Sequence, residues 1–474
     1  MKILRERTGR SLRTFGLLQT NLSGGGSSGF LAYPWDFPEV LDYWDARYGI
    51  TQSGERVSDV AATLRGVDSL AQATGANQPI YLPYTSEKYL YIPGVNNNIV
   101  SQPDRASFAT GAGSFSCAMR LACDSWASGS NQRPLGQNTN NTTNLAWFLN
   151  IGTTGLLGLN VSSDGTTAVA ATTSSVTLPS VGAVDREYMW IMAAWNNAGG
   201  VVNYYYAADS ATIPAAWTLL GTADRALASL TLFDSTAALT AGGFGSGVAG
   251  AGMKIKRALY WSGVVAADGT GGTLLADMDA TAQAEGASSW TDPTSGGTWT
   301  VGTSGAKPAQ VVARPWVLHD ASAYYMRATF TLNQPCGVVF CGRQNAATNT
   351  RALWDGATNG TTARLRQNTV VTGGIQLIAP TADTVDGNFA LSTKMVVGSL
   401  LSGASSYMQV NQNSETASSP GTNNMDGITV GADSATVPTL FSALQWTAMA
   451  VINQSMTAVR MRTLIAAMQR EYQT

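Results

Sequence analysis

Four blocks of sequence recur in the same order along this chain, which restricts it to folds built twice on one plan. SFSCAMRLACD followed by QRPLGQN (114–138) resembles YYMRATFTLNQ followed by CGVVFCGRQN (324–345). LAWFLNIGTTGLLGLNV (145–161) parallels TRALWDGATNGTTARLRQN (350–368), each an aromatic strand, a Gly/Thr turn and a returning strand. REYMWIMAAWNNAGGVVNYYY (186–206) parallels STKMVVGSLLSGASSYMQVN (392–411). LTAGGFGSGVAGAGMKIKRALYWSGVV (239–265) parallels GITVGADSATVPTLFSALQWTAMAVIN (427–453). Two copies of one domain follow, with the boundary in the polar stretch 281–307, where SSWTDPTSGGTWTV reads as a small hairpin.

The repeated unit is all-β. Short apolar runs are separated by clusters of Gly, Asn, Asp, Ser and Thr, the signature of a sandwich or barrel. In FSCAMRLAC, residues Phe115, Cys117, Met119, Leu121 and Cys123 alternate onto one face, which predicts a half-buried strand. Met326–Leu332 and Lys394–Gly398 read as strands in the same way. The best helical signal is the C-terminus, where Ser455 is placed to cap and Met461, Leu464, Ile465, Met468 and Tyr472 share a face. Charged residues are only 12% of the chain, which excludes a long coiled coil or helical repeat. A net charge of −2 excludes a surface that binds nucleic acid wholesale. No run reaches the roughly 18–20 apolar residues of a membrane span. No apolar stretch follows the basic start, so the chain is expected to be made and kept in a cytoplasm, or released from it by lysis and not by secretion.

The expected organisation is an extended basic, Gly/Ser-rich arm (1–33), a first sandwich (34–280), a linker or hairpin (281–307), and a second sandwich with a C-terminal helix (308–474). The arm carries Lys2, Arg5, Arg7, Arg10 and Arg13 against Glu6. These cations are suited to charge-assisted bonds with carboxylates of a partner chain.

Chemistry-bearing residues are scarce. The four cysteines read as reduced core residues. Cys117 and Cys123 lie roughly 20 Å apart along one strand, too far for a disulfide. The only histidine, His319, lies in an ordinary strand and turn, so neither a zinc site nor a triad is expected. The glutamates are scattered singly, and no phosphate-binding loop occurs. A polysaccharide depolymerase, the remaining alternative, needs two carboxylates across a cleft; Asp36, Asp42 and Asp45 cluster in PWDFPEVLDYWDA, but that stretch is equally a capped turn before the first strand. No cofactor and no metal is expected.

The block order resembles the concanavalin-A-like, laminin-G-type jelly-roll sandwich. The resemblance rests on the opening DYWDARYGITQSGERVSD, on QPIYLPYTSEKYLYIPG, on the strand pair of the 114–138 type, on the Gly-turned hairpin, on the Trp-ended strand turning through NNAGG into VVNYYY, and on KIKRALYW. It implies tandem jelly rolls whose faces and loops bind glycans or proteins. The metal-ligand set of plant lectins and the carboxylate strand of laminarinase-type glycosidases are missing, so the scaffold is expected without that chemistry. Low-charge Gly/Ala/Thr sandwiches with this opening also look like structural proteins of tailed-bacteriophage particles. That likeness implies a non-enzymatic virion protein on capsid, neck or tail, homo-oligomeric, anchored by its arm to other virion proteins. Adhesion to a host-surface glycan is the accompanying expectation, with Trp35, Trp44, Trp217 and Trp354 as candidate sugar contacts. No membrane and no specific nucleic acid is expected as a partner.

Overall fold

The computed structural model describes residues 33–473 except 65–68, 84, 95–97, 140–142, 167–169, 225–229, 244–251, 304–306, 359–362, 369–373 and 380. Its strands fall into four runs along the chain. The first holds β1 (Val40–Asp45), β2 (Ile50–Ser53), β3 (Arg56–Val60), β4 (Leu70–Ala71) and β5 (Ile80–Leu82). The second holds β6 (Tyr89–Ile92), β7 (Val100–Gln102), β8 (Phe115–Cys123), β9 (Gln132–Gln137), β10 (Trp147–Ile151), β11 (Leu156–Val161), β12 (Ala170–Thr177), β13 (Met189–Asn196), β14 (Val201–Ala208), β15 (Thr218–Asp224), β16 (Leu239–Ala241) and β17 (Met253–Ser262). The third is β18 (Thr273–Asp279), β19 (Ser289–Thr291), β20 (Thr298–Val301) and β21 (Gln310–Val312). The fourth is β22 (Trp316–His319), β23 (Met326–Leu332), β24 (Cys336–Gln344), β25 (Ala352–Asp355), β26 (Arg364–Asn368), β27 (Gly374–Ile378), β28 (Ala382–Asp386), β29 (Met395–Leu401), β30 (Ser406–Val410), β31 (Thr416–Ser418), β32 (Met425–Val430) and β33 (Leu444–Ile452), followed by helix α1 (Ala458–Gln473).

The second and third runs make one concanavalin-A-like jelly-roll sandwich. One sheet runs β15-β14-β13-β8-β17-β6-β21 with β18 beside β17, and the other runs β12-β11-β10-β9-β16-β7-β20-β19. The fourth run repeats the plan, as β31-β30-β29-β24-β33-β22 over β28-β27-β26-β25-β32-β23. The first run completes it: β5 joins β22, β1 joins β33, β4 joins β23 and β3 joins β4. In the second sandwich, β1, β3, β4 and β5 therefore hold the places that β18, β19, β20 and β21 hold in the first.

Strand pairing thus divides the chain differently from the expected 34–280 and 308–474. The first sandwich is residues 89–312, and the second joins 40–82 to 316–452. The hairpin expected in 281–307 forms, with Trp290 opposite Trp299, but β20 lies on β7, so it belongs to the first sandwich and is no linker. Of the four repeated blocks, the last two are in structural register, because β13–β14 matches β29–β30 and β16–β17 matches β32–β33. The first two are slipped by one strand, since β8 matches β24 and not β23.

Each sandwich closes around its own apolar core, with Phe115, Met119, Trp147 and Trp195 in the first and Trp44, Phe340, Trp354 and Trp446 in the second. Cys117 and Cys123 face the first core as expected. The opposite face of β8 is buried as well, which corrects the half-buried expectation. There Ala118 packs under Trp190, Trp217, Trp261 and Val265. In the second sandwich α1 covers the equivalent face with Met461, Leu464, Ile465, Met468 and Tyr472, all buried. Gly398 lets the helix approach, because a Cβ there would lie 2.5 Å from the Met461 sulfur. The helix is capped by the Thr457 hydroxyl, which accepts the Arg460 N–H at 3.2 Å, two residues beyond the expected Ser455. No helix among the described residues is long and apolar enough to cross a membrane.

Candidate functional site

The chain passes between the sandwiches at residues 83–88 and again at 313–315. Beside these crossings lies a cleft of about 990 Å³, lined by residues of both sandwiches and of α1. Domain junctions of this kind are common ligand sites.

One wall comes from the turn after β1. Asp45, fully buried, accepts the Arg47 backbone N–H at 2.8 Å and its guanidinium at 2.8–3.1 Å. Arg47 reaches on to Glu471 at 2.7 Å and to the Tyr472 hydroxyl at 3.0 Å, and it lies over the Tyr472 ring at 4.4 Å. Burial pulls the guanidinium down, but its bonds to Asp45 outweigh that and hold it firmly protonated. The Tyr472 hydroxyl donates to Asp45 at 2.8 Å and receives the Tyr43 hydroxyl. The DYWDARYG opening is thus a clamp on the last turn of α1. It leaves Tyr48 and Tyr81 lining the cleft.

The second wall is Glu285 and Arg314, with further cations buried behind it. Glu285 accepts the Trp316 indole N–H at 2.8 Å and faces Arg314 at 3.5 Å. Arg314 and Lys394 both donate to the Tyr472 carbonyl. Lys394 lies over the Trp316 ring at 4.8 Å and Arg343 at 5.4 Å from its centroid. Arg343 donates to the side-chain oxygens of Gln310 and Gln445, and burial lowers it to about 10. Burial lowers Lys394 too, and the neighbouring Arg314 and Arg343 add to that.

The third wall is Glu87 and Lys88. Glu87 bridges Arg120 at 3.0 Å and Lys256 at 3.1 Å, and the bond to Arg120 holds it below the usual carboxylate range. The cations that line the cleft are Arg47, Lys88 and Arg314, and among the described residues the lining carboxylates are Glu87, Glu285 and Glu471. Glu87 is paired with Arg120 and Lys256, which stand outside the lining. That leaves three lining cations against Glu285 and Glu471.

The sequence-predicted contacts lie elsewhere. Trp44 and Trp354 are fully enclosed in the second core, and Trp217 is 6% exposed against Trp190, so these three cannot stack on a sugar. Strand alternation turns Trp44 and Trp354 inward, where their size fills the core, while Trp217 packs over the outer face of the first sandwich. Trp35 is half-buried beside α1, stacked on the exposed Tyr33 at 4.9 Å. Lys2, Arg5, Arg7, Arg10 and Arg13 lie outside the described residues. Cleft residues 47, 81, 285, 314 and 472 are scattered along the chain, and only the DYWDARYG turn marks any of them in the sequence.

His319 is buried and neutral. Its Nε2 accepts the Trp446 indole N–H at 3.0 Å, so Nδ1 carries the proton and donates to the Tyr324 carbonyl at 3.1 Å. Burial lowers its pKa to about 4. The four cysteines are buried free thiols, raised by burial. One carboxylate pair that the sequence does not reveal, Asp124 and Glu55, comes from different sandwiches. Burial, then Glu55, pushes Asp124 up to about 7.

No protein-family model and no curated protein matches the chain. Among solved structures it is similar to a Bacteroides ovatus protein provisionally described as carbohydrate-binding, at 11% identity and TM-score 0.34. That match covers 48% of this chain and 60% of the other, less than two thirds of its length. The LG4-5 domains of the mouse laminin α1 chain align at 11% identity and TM-score 0.28, covering 80% of this chain and 92% of theirs. The sialidase CBM40 of Ruminococcus gnavus, bound to α2,3 sialyllactose, aligns at 12% identity and TM-score 0.26, covering 40% of this chain and 95% of its own. These are likenesses between jelly rolls.

Proposed function

We propose that this chain is a non-catalytic carbohydrate-binding protein whose interdomain cleft takes an acidic sugar. The observation that carries the reading is the cleft lining, where Arg47, Lys88 and Arg314 stand beside Tyr48 and Tyr81, with Lys394 and Arg343 behind Arg314 around Trp316. Guanidinium groups bind carboxylate or sulfate in bidentate fashion, and tyrosine rings supply a flat, partly apolar face. Binding fits better than hydrolysis because Glu471, Glu285 and Glu87 each sit in an ion pair. Glu87 is held low, opposite to a general acid.

The test is a glycan array with acidic and neutral oligosaccharides, repeated with Arg314→Gln. The expected result is binding confined to carboxylated or sulfated glycans and at least tenfold weaker in the variant, with an unchanged melting temperature. No glycan above background, or equal binding by the variant, contradicts the reading.

In the same reading the protein is displayed on a tailed-bacteriophage particle through its basic arm. What supports this is where the arm ends. Tyr33 leaves beside α1, and Glu39 pairs with Arg460 at 3.1 Å, so an arm held by a partner leaves the first sandwich clear. Deleting residues 1–32 is expected to preserve folding and abolish incorporation into particles, and unchanged incorporation contradicts the display role.

A further inference from the structure

The N-terminal run of strands is foreign to the part of the chain that it is tied to. Strands β1 to β5 pair with one another and with β22, β23 and β33, and none pairs with a strand of 89–312. The first sandwich is completed without them, by β18 to β21. Their covalent tie is residues 83–88, a linker spanning at most roughly 20 Å. It is fastened to the first sandwich where Glu87 bonds Arg120 and Lys256. The slot the segment fills begins about 230 residues further along the chain and is complete only about 370 residues on, with β33.

That slot is apolar. Without the segment, the edges of β22, β23 and β33 are unpaired, and the second core loses Trp44, Val57, Val60 and Leu70. Unpaired edges over exposed apolar surface are sites of strand addition. Every contact the segment makes in the slot is as good when the segment comes from another copy. The same chain wins in dilute solution because a short linker gives an effective concentration of order millimolar. It does not win by default during synthesis. At about 5–20 residues per second the segment waits on the order of twenty to seventy seconds before its slot, which ends with β33, exists. Neighbouring copies on one message are close throughout that time.

We infer that residues 40–82 also complete the second sandwich of a second copy of this chain, so that it forms strand-exchanged dimers. The interface is the intramolecular one already described, and what selects between the forms is the reach of residues 83–88.

Ala71 and Arg327 are direct cross-strand neighbours of β4 and β23, so they report on who supplies the segment. Two full-length copies with different tags are co-expressed, one carrying Ala71→Cys and the other Arg327→Cys. A disulfide joining the two tags is expected in the fraction of dimer size. It is expected to rise several-fold when Thr85 and Ser86 are deleted from both copies, because the shortened linker no longer reaches its own slot. A single copy carrying both cysteines is expected to close its own disulfide. No cross-tag disulfide with either linker, or a dimer that lacks it, overturns the inference. Failure of the single copy to close removes the pairing it rests on.

Discussion

The two sandwiches share a strand plan but differ in what finishes them. The first is continuous in sequence, and its last four strands follow β17 directly. The second borrows those four positions from the start of the chain. Their outer faces differ in the same direction. In the first, Trp190, Trp217 and Trp261 on and over the sheet build their own cover. In the second, small residues such as Cys341, Gly398, Ala448 and Ala450 leave space that α1 fills. One row across the open sheets reads Ser289–Thr300–Ser101–Thr240–Gly136 in the first and Asp59–Ala71–Arg327–Thr429–Asp355 in the second. Pairing geometry is kept while side-chain chemistry changes from uncharged to charged. The comparison teaches that the plan of such a sandwich is set by which strands meet, and not by whether they are adjacent in sequence.

The largest test of this contrast is deletion of residues 34–82. The first sandwich is expected to keep its calorimetric transition, and the second to lose its own. Loss of both, or of the first alone, breaks the comparison.

A smaller effect separates the sandwiches by pH. The only histidine is in the second, neutral when folded down to about pH 4, whereas its unfolded value is 6.5. The unfolded chain therefore takes up the proton first as pH falls. The stabilisation is whole above pH 6.5 and is lost on the way down to about 4, on the order of 3 kcal/mol in all. His319→Gln is expected to remove that slope from the second transition and leave the first unchanged. An unaltered slope places the acid sensitivity elsewhere.

The smallest effect lies at the junction. Asp124, near 7 in the fold against 3.8 when unfolded, is protonated in the fold between those values. Its contribution is present at low pH and is lost as pH rises through 7. Asp124→Asn is expected to raise stability at pH 8 and to raise it less at pH 5, and a destabilised variant at pH 8 contradicts this.

The fold class was legible because β period and turn chemistry are local. The alternation of Met326–Leu332, the apolar face of α1 and the hairpin of Trp290 and Trp299 could all be read without knowing their partners. The repeat was legible in its latter half, where long strands such as β17 and β33 carry a distinctive pattern. It slipped in its first half because β7 is only three residues long, and β23 alternates as β8 does. The ownership of residues 40–82 was not legible, since it depends on partners about 230 positions away. Neither was the cleft, whose cations meet only through the crossing at 83–88 and 313–315. The tryptophans misled for a physical reason: a large ring counts equally as a core filler or a sugar platform until its face of the strand is known.

The completion of the second sandwich by the N-terminal strands is tested most directly in dilute, monomeric protein by letting one cysteine choose between two partners. Ala71 lies beside Arg327 in the second sandwich. The corresponding place in the first sandwich is Ser101, which is beside Thr300. The account predicts that Ala71→Cys forms a disulfide with Arg327→Cys under mild oxidation and none with Ser101→Cys. Closure with Ser101→Cys in place of Arg327→Cys would show that the N-terminal strands complete the first sandwich, and the account would fall.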